Sequence, residues 1–245
     1  MRYEKVRAIV LSSRPMGEAD RVLRLFTREW GRVDAVVKGV RKTTSRWGGR
    51  LEPYTVGDLL LYRGRSLYTV TQAQLVDVFR RLREDREALA AAAVVCEAAA
   101  GLFAEHEPEE RVYALLRNTL RELDEGITGP AVQSPLLLGA LMKLLHEAGY
   151  LPVLDRCAAC GGGHRALGFS AARGGLVCDQ CLDECVPITP EAVEGLCTCL
   201  AEPLTLLRAM PPSPGVEEAL RDVHELYAYH SGSRLRALHF ARHAQ

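Results

Sequence analysis

The sequence has no hydrophobic run long enough to cross a membrane. Its longest apolar stretch is ALAAAAVVCEAAAGLFA, residues 88–104, which carries Glu97 near its middle and falls short of the roughly 20 residues that a membrane-spanning helix needs. The first residues, MRYEKVRAIVLSS, contain no uninterrupted apolar segment of the kind found in secretory signals. We therefore expect a cytoplasmic protein without a membrane partner, in which the eight cysteines serve as thiols or metal ligands rather than disulfides.

The sequence also lacks the short motifs of common enzyme classes. It contains no G-x-x-x-x-G-K-[ST], no G-x-G-x-x-G and no G-x-S-x-G segment. The metalloprotease pattern H-E-x-x-H begins at His146 and at His224, but Tyr150 and Ala228 stand where the second histidine is required. These absences predict a protein that is not an enzyme.

The net charge is zero, yet the charges are unevenly distributed. Residues 1–80 hold 16 Lys and Arg against 8 Asp and Glu, whereas residues 81–245 hold 15 against 23. Such an asymmetry favours a polyanionic partner for the N-terminal part. The densest positive segment is KGVRKTTSRWGGR, residues 38–50, which has five cations and no acid.

Residues 1–79 have the pattern of a small β-barrel. Five apolar, β-branched segments separated by glycines predict five strands: VRAIVLSS, DRVLRLFT, RVDAVVKG, TVGDLLLY and SLYTVTQAQLVDV. This number of strands in about 80 residues fits an oligonucleotide-binding (OB) fold, although an SH3-like barrel leaves a similar signature. Closure into a barrel removes the exposed edges of so small a sheet. We expect residues 1–79 to form an OB-fold DNA-binding domain.

From residue 80 onward the pattern is helical. Apolar residues recur every seven positions on an alanine-rich background, at Leu82, Leu89, Cys96 and Phe103. Helix starts are indicated by Pro108 and by the pairs Ser134-Pro135, Thr189-Pro190 and Ser213-Pro214. The predicted fold class is α+β multidomain. An N-terminal five-stranded OB-like β-barrel is followed by an α-helical domain, residues 80–154 and 186–245, with a four-cysteine zinc-finger insert at residues 155–185.

The insert contains two C-x2-C pairs separated by seventeen residues: Cys157 with Cys160, and Cys178 with Cys181. This spacing is typical of a tetrahedral zinc site, although spacing alone leaves a redox dithiol or an iron–sulfur cluster open. Four thiolates close the coordination shell, so we predict one structural Zn²⁺ per chain rather than a hydrolytic one. Cys185 and His164 lie close enough in sequence to substitute as ligands.

The basic segment falls between the third and fourth predicted strands. A loop of cations follows phosphates without reading bases, and Trp47 within it offers a stacking surface for an unpaired base. In the alternative interpretation, Trp47 caps the barrel core and the cations are merely solvated. Placed on an OB barrel, the segment favours nucleic acid. The predicted DNA-binding residues are Lys38, Arg41, Lys42, Arg46, Arg50, Arg14 and Trp47.

Residues 17–54, GEADRVLRLFTREWGRVDAVVKGVRKTTSRWGGRLEPY, resemble the N-terminal region of the RecO family of recombination mediators. That family shows a strand, "lfT…G", a second strand, "kG.r…S" and "g.L.p" in this order. The matching positions are Leu25, Phe26, Thr27, Gly31, Lys38, Gly39, Arg41, Ser45, Gly49, Leu51 and Pro53. The order of parts, with a CxxC…CxxC insert before the last helices, extends the resemblance over essentially the whole chain.

The resemblance implies a bacterial protein of DNA damage repair and recombination, cytoplasmic and associated with the nucleoid. RecO proteins bind single- and double-stranded DNA and anneal complementary strands. They work with RecR to load RecA onto DNA coated by the single-stranded-DNA-binding protein (SSB), whose acidic C-terminal tail docks on their helical domain. Zinc ligands are present in some members and missing in others. Only Lys38 and Arg41 fall on basic positions of the family motif.

Three other functions remain open from the sequence. The first is a protein–protein adaptor without intrinsic DNA affinity, in which the acidic helical half binds partners. The second is an OB protein that binds RNA, because charge alone does not distinguish the two nucleic acids. The third is a zinc hydrolase acting on nucleic acid, which the four-thiolate pattern disfavours because it leaves no open coordination position.

Overall fold

The computed structural model describes residues 3–41, 47, 51–64, 67–163, 166–182 and 185–243. These residues form two compact units. The barrel unit takes in the described residues of 1–80 and 103–121, and the helical unit takes in those of 81–102 and 122–245. No helix in the described part of the chain is both long enough and apolar enough to span a membrane.

The barrel unit is built on a closed five-stranded barrel. Its strands are β1 (Tyr3–Met16), β2 (Asp20–Thr27), β3 (Gly31–Val37), β4 (Val56–Arg63) and β5 (Tyr68–Asp77). They follow the order β1-β2-β3-β5-β4, β1 closes the barrel against β4, and β3 pairs with β5 in parallel. The predicted OB-like barrel is confirmed, with each strand at its expected place.

Strand β1 is long because it pairs on both sides. Its first half lies against β4, its second half lies against β2, and the register shifts between Val10 and Ser12. Side chains alternate between the two faces, so Val6, Ala8 and Val10 point into the barrel core. Each of the other four strands also contributes buried apolar side chains to this core: Leu23, Leu25, Val33, Ala35, Val37, Leu59, Leu61 and Val70.

Residues 103–121 pack with the barrel, although the predicted division placed them in the helical domain. Helix α3 (Glu110–Asp124) provides Arg117, whose Nε donates to Asp77 Oδ2 at 2.7 Å. The Phe103 ring meets Phe26 edge to face, with 6.1 Å between centroids. The difference arises because helical periodicity identifies a buried face without naming what covers it.

The helical unit is assembled around an alanine-rich helix. Its described helices are α1 (Arg80–Glu84), α2 (Arg86–Leu102), α4 (Pro135–Glu147), α5 (Pro190–Ala201), α6 (Leu204–Ala209), α7 (Pro214–Ser231) and α8 (Arg236–His243). Helices α4, α5 and α7 begin at the prolines that the sequence indicated. The small side chains of α2 allow α4, α7 and α8 to pack against it.

The spacing of apolar residues did not reveal that two helices, α1 and α2, are separated at Asp85. Its Oδ1 accepts hydrogen bonds from the backbone N–H groups of Glu87 and Ala88, at 2.8 and 3.0 Å. Asp85 thereby satisfies two donors at the start of α2 and separates that helix from α1.

The cysteine-rich insert forms a small antiparallel sheet within the helical unit. Strands β6 (Ala166–Ser170), β7 (Gly175–Cys178) and β8 (Val186–Pro187) take the order β7-β6-β8. The backbone N–H of Leu176 donates to the carbonyl of Val153 at 3.0 Å, and that of Ala158 donates to the carbonyl of Leu176 at 2.7 Å. The first cysteine pair is therefore held beside the strand that ends at the second pair.

Replacing Gly31 with alanine is expected to destabilise the barrel unit by about 3 kcal/mol or more. Gly31 has a φ of +64°, and a Cβ there would overlap the carbonyl oxygen of Glu107. The measurement is urea unfolding followed by tryptophan fluorescence, since both tryptophans, Trp30 and Trp47, belong to this unit.

The matched control is Gly17→Ala. Gly17 has a similar φ of +62° but no neighbouring atom within 4 Å of the added methyl group. Only the strain of a positive φ in a residue with a side chain remains there, so the free energy of unfolding should fall by about 1 kcal/mol. Equal losses for the two variants would contradict the packing argument for Gly31.

Candidate metal centre and nucleic-acid interface

The structure brings together the four cysteines that the spacing paired. The Sγ atoms of Cys157, Cys160, Cys178 and Cys181 all lie within 4.8 Å of one another. Each pair sits on a tight turn: the N–H of Gly161 donates to the carbonyl of Cys157 at 2.8 Å, and the N–H of Cys181 donates to the carbonyl of Cys178 at 3.0 Å. Four sulfur ligands converging on one point are positioned to hold a metal ion.

The electrostatics of the cluster favour a bound cation. Backbone N–H groups of Cys160 and then of Cys178 lower the pKa of Cys157 to about 6, and the Cys178 donor lies 3.4 Å from the Cys157 Sγ. A hydrogen bond with Cys178, followed by burial, raises the pKa of Cys181 to about 12. The Cys157 thiolate thus forms more readily than the Cys181 thiolate. A metal ion held here would supply the positive charge that favours the ionised form of its ligands.

The two substitute ligands are placed differently. Cys185 packs against the cluster, but its Sγ donates to the carbonyl of Leu182 at 3.1 Å and it is not one of the four converging sulfurs. His164 lies outside the described residues. Cys185 is therefore close to the metal centre without being part of the converging set.

The described cations among those that the sequence singled out belong to one end of the barrel. Arg14 of β1 pairs with Val22 of β2, and Val22 pairs with Val36 of β3. Arg14 therefore lies near the end of β3, which Lys38 follows. We call this end the basic mouth, defined by Arg14, Lys38 and Arg41.

The turn after β3 is fastened to the turn between β1 and β2. The backbone N–H of Arg41 donates to the carbonyl of Ala19 at 3.0 Å, and its Nη1 donates to the carbonyl of Gly17 at 3.2 Å. The backbone N–H of Gly39 donates to Asp20 Oδ1 at 2.8 Å. These bonds hold the basic turn in a defined orientation at the mouth.

Arginines elsewhere on the barrel unit are largely neutralised by acids. Arg7 donates to both carboxylate oxygens of Asp58, at 2.7 and 2.9 Å, and this contact lowers the pKa of Asp58. Further pairs are Arg24–Asp34, Arg28–Glu110, Arg32–Glu105 and Arg117–Asp77. By contrast, Arg14, Lys38 and Arg63 are exposed and form no ion pair with any described residue. Arg14 and Lys38 thus leave unneutralised positive charge at the mouth.

Arg63 was missed by sequence reasoning. It follows the fourth predicted strand and ends β4, and the pairing of Tyr62 with Tyr3 places that end beside the start of β1, away from the mouth. The turns from β1 to β2 and from β4 to β5 are the loops that OB folds commonly use to bind oligonucleotides.

The remaining predicted DNA-binding residues have different outcomes. Trp47 is only 4% exposed, packs in the barrel core, and donates from Nε1 to the carbonyl of Lys38 at 3.1 Å. This geometry matches the alternative interpretation of Trp47 as a cap on the core, and the buried ring has no free face for a base. Lys42, Arg46 and Arg50 lie outside the described residues.

The helical unit has a cleft of about 440 Å³ between α7 and α8 that combines apolar and basic side chains. Phe240 beside it is 70% exposed. Arg234 is paired with Glu225 at 2.8 Å, whereas the buried Nη2 of Arg242 has no hydrogen-bond partner in the described part of the chain. A carboxylate entering the cleft would satisfy that donor.

Comparison with known proteins gives one consistent result. A family described as "Recombination protein O N terminal" matches residues 1–79, and one described as "Recombination protein O C terminal" matches residues 83–239. Among curated relatives, the DNA repair protein RecO of Rubrobacter xylanophilus is 38% identical over 226 residues, covering 91% of this chain and 90% of its own. That of Frankia casuarinae is 45% identical over 175 residues, covering 71% of each chain.

The two matches cover the barrel and the helical part, in the order that the sequence resemblance indicated. Both relatives are bacterial DNA repair proteins by name. The chain belongs to the RecO family of DNA repair proteins.

Proposed function

We propose that this protein is a non-enzymatic recombination mediator that binds single- and double-stranded DNA and anneals complementary strands. In this proposal it acts with RecR to help load RecA onto SSB-coated DNA, in the cytoplasm of a bacterium and at its nucleoid. Family membership supports the repair role. The basic mouth supports the DNA contact.

One observation carries the proposal: the barrel pairs its wall arginines with acids, whereas Arg14 and Lys38 at the mouth have no acidic partner among the residues that the structure describes. Annealing needs no acid, base or nucleophile, because its main obstacle is the repulsion between two polyanions. Cations that replace condensed counterions along each strand lower that repulsion, and they contribute binding energy through counterion release.

Each mouth residue has a distinct part in this proposal. Lys38 and Arg14 provide charges that follow phosphates of either strand type, and Arg63 provides another at the end of β4. Arg41 is partly held by the carbonyl of Gly17, so it contributes a fixed donor. Lys42, Arg46 and Arg50 continue the same chain segment and extend the surface by their charge. Trp47 is left out because it is buried.

The double variant Lys38→Gln/Arg14→Gln is expected to bind a labelled single strand roughly tenfold more weakly. The slope of log Kd against log salt should fall by about 1 to 1.5, since each lost phosphate contact removes about 0.7 for single strands. Fluorescence anisotropy at several salt concentrations measures both values.

The control is Arg111→Gln, which removes the same charge from an exposed position on α3. Unchanged affinity and slope in the double variant would remove the mouth from the mechanism. Complete absence of DNA binding by the unaltered protein would favour the adaptor function. Tighter binding to RNA than to DNA of the same sequence would favour the RNA-binding function.

A single structural Zn²⁺ at the four-cysteine centre is part of the same proposal. Zinc accepts tetrahedral thiolate ligands without a geometric preference of its own, which suits four sulfurs supplied by two turns. It would stabilise a small, glycine-rich insert that buries little apolar surface. Because four thiolates complete the shell, the centre offers no position for a reacting water.

The unaltered protein should contain one zinc per chain, as measured by elemental mass spectrometry. The variants Cys157→Ser and Cys178→Ser are each expected to lose this metal. The melting temperature should fall by roughly 5–10 °C, because metal binding contributes directly to folding. Cys197→Ser, at an exposed position on α5, is the matched control. Full zinc content in both variants would refute this ligand set, and iron in place of zinc would refute the metal.

The cleft between α7 and α8 is the candidate site for the acidic C-terminal tail of SSB. The apolar ring of Phe240 offers a contact for a nonpolar side chain, and the unpartnered Nη2 of Arg242 offers a donor for a carboxylate. Burial lowers the pKa of Arg242, which is the expected cost of holding an unpaired cation there.

Phe240→Ala should weaken binding of a labelled SSB tail peptide at least fivefold, because exposed aromatic anchors dominate such contacts. Anisotropy of the peptide measures this effect. Leu206→Ala, which truncates another exposed apolar residue at 48% exposure, provides the control. If both variants bind the peptide as tightly as the unaltered protein, the tail docks elsewhere.

A further inference from the structure

Two tyrosines lie side by side on the outer wall of the barrel. Tyr3 of β1 and Tyr62 of β4 are directly paired positions, with ring centroids 5.1 Å apart and planes tilted by 57°. A cross-strand aromatic pair contributes to sheet stability, and the contribution from burial is greatest when both rings are shielded from solvent. Tyr3 instead remains 54% exposed, so one ring presents a face to solvent.

Next to the tyrosine pair, the outer wall carries one cation and two neutral polar side chains. Lys5 is paired in register with Leu60, and Leu60 with Gln72. Lys5, Gln72 and Gln74 are exposed, and Lys5 has no ion pair among the described residues. A cleft of about 710 Å³ is lined by these three side chains, among others.

The acids that border the cleft are already engaged. Asp58 is held by both nitrogen donors of Arg7, and Glu29 Oε2 accepts a hydrogen bond from the backbone N–H of Arg7 at 3.0 Å. Lys5 therefore remains as an unneutralised charge in this part of the wall. The surface suits an anionic ligand that also has flat apolar groups.

Two cations flank the tyrosine pair. Arg63 directly follows Tyr62 in β4, and Lys5 lies two residues after Tyr3 in β1. Both are exposed and form no ion pair with any described residue. A nucleic acid strand whose phosphates contact these two cations would lie over the rings. This combination identifies the occupant by chemistry: a strand with phosphates and with bases free to stack.

We propose that the outer surface formed by Tyr3, Lys5, Tyr62, Gln72 and Gln74, here called the tyrosine face, binds the bases of an unpaired DNA strand. The inference rests on the proposed DNA-binding function and adds a preference to it. Aromatic rings stack on unpaired bases whatever their sequence, whereas bases inside a duplex are unavailable. The glutamine amides donate to and accept from base edges, and Lys5 contacts a phosphate. The mouth thus binds both strand types, and the tyrosine face favours single strands.

The test compares single-stranded and duplex DNA of the same sequence across several salt concentrations. Tyr3→Leu and Tyr62→Leu should each weaken single-strand binding about fivefold to tenfold, while duplex affinity stays unchanged. The salt slope should also stay unchanged, because no phosphate contact is lost. Tyr3→Phe should bind like the unaltered protein, since the stacking ring remains. Tyr229→Leu, at 59% exposure on α7, is the matched control.

A second measurement locates the contact directly and does not depend on variant stability. Ultraviolet irradiation of a bromouracil-substituted single strand should cross-link it to Tyr3 or Tyr62, as identified by mass spectrometry of the digested complex. Cross-links confined to other residues, or single-strand affinity unaltered in both leucine variants, would overturn the tyrosine face while leaving DNA binding by the mouth intact. Failure of the unaltered protein to bind any DNA would overturn the proposed function and this inference together.

Discussion

Closure of the five-stranded barrel is the constraint on which the functional surface of the barrel unit depends. Because β1 pairs with β2 along one half and with β4 along the other, residues far apart in sequence arrive side by side. Arg14 meets Lys38 at the mouth through β2 and β3, and Tyr3 meets Tyr62 on the wall. An open sheet would leave the two tyrosines on separate edges.

Charge pairing then decides which cations are available. The chain has zero formal charge. Because its acids pair with particular arginines, other cations remain unneutralised and create a local positive field. On the barrel wall, Arg7 and Arg24 are matched by Asp58 and Asp34, and these partly exposed pairs contribute little to stability. Their effect on the charge distribution is larger, since they neutralise these wall arginines while Arg14 and Lys38 at the mouth keep their charge. In the proposed function, this charge attracts the polyanion.

The cysteine centre differs from the barrel because its charges belong to one small cluster of like groups. In the short glycine-rich insert, four sulfurs converge within 4.8 Å of one another, and thiolates at such distances repel one another once ionised. The low pKa of Cys157 and the high pKa of Cys181 describe a cluster that a metal ion completes. The backbone N–H of Ala158 bonds to Leu176 of β7, and that of Leu176 bonds to Val153, so the cluster is tied to the chain segment that precedes the insert.

The sequence by itself determined the five strands, the starts of α4, α5 and α7, and the pairing of the four cysteines. These features depend on local rules: alternation along a strand, proline at the first turn of a helix, and the spacing of ligands. Tertiary structure alone decided that Trp47 is buried, that Arg14 lies near Lys38 at the mouth, and that residues 103–121 pack with the barrel. Each of these outcomes depends on contacts between residues distant in the chain, such as Phe26 with Phe103. Periodicity tells which face of an element is buried, but the partner that covers it is selected only when the chain closes on itself.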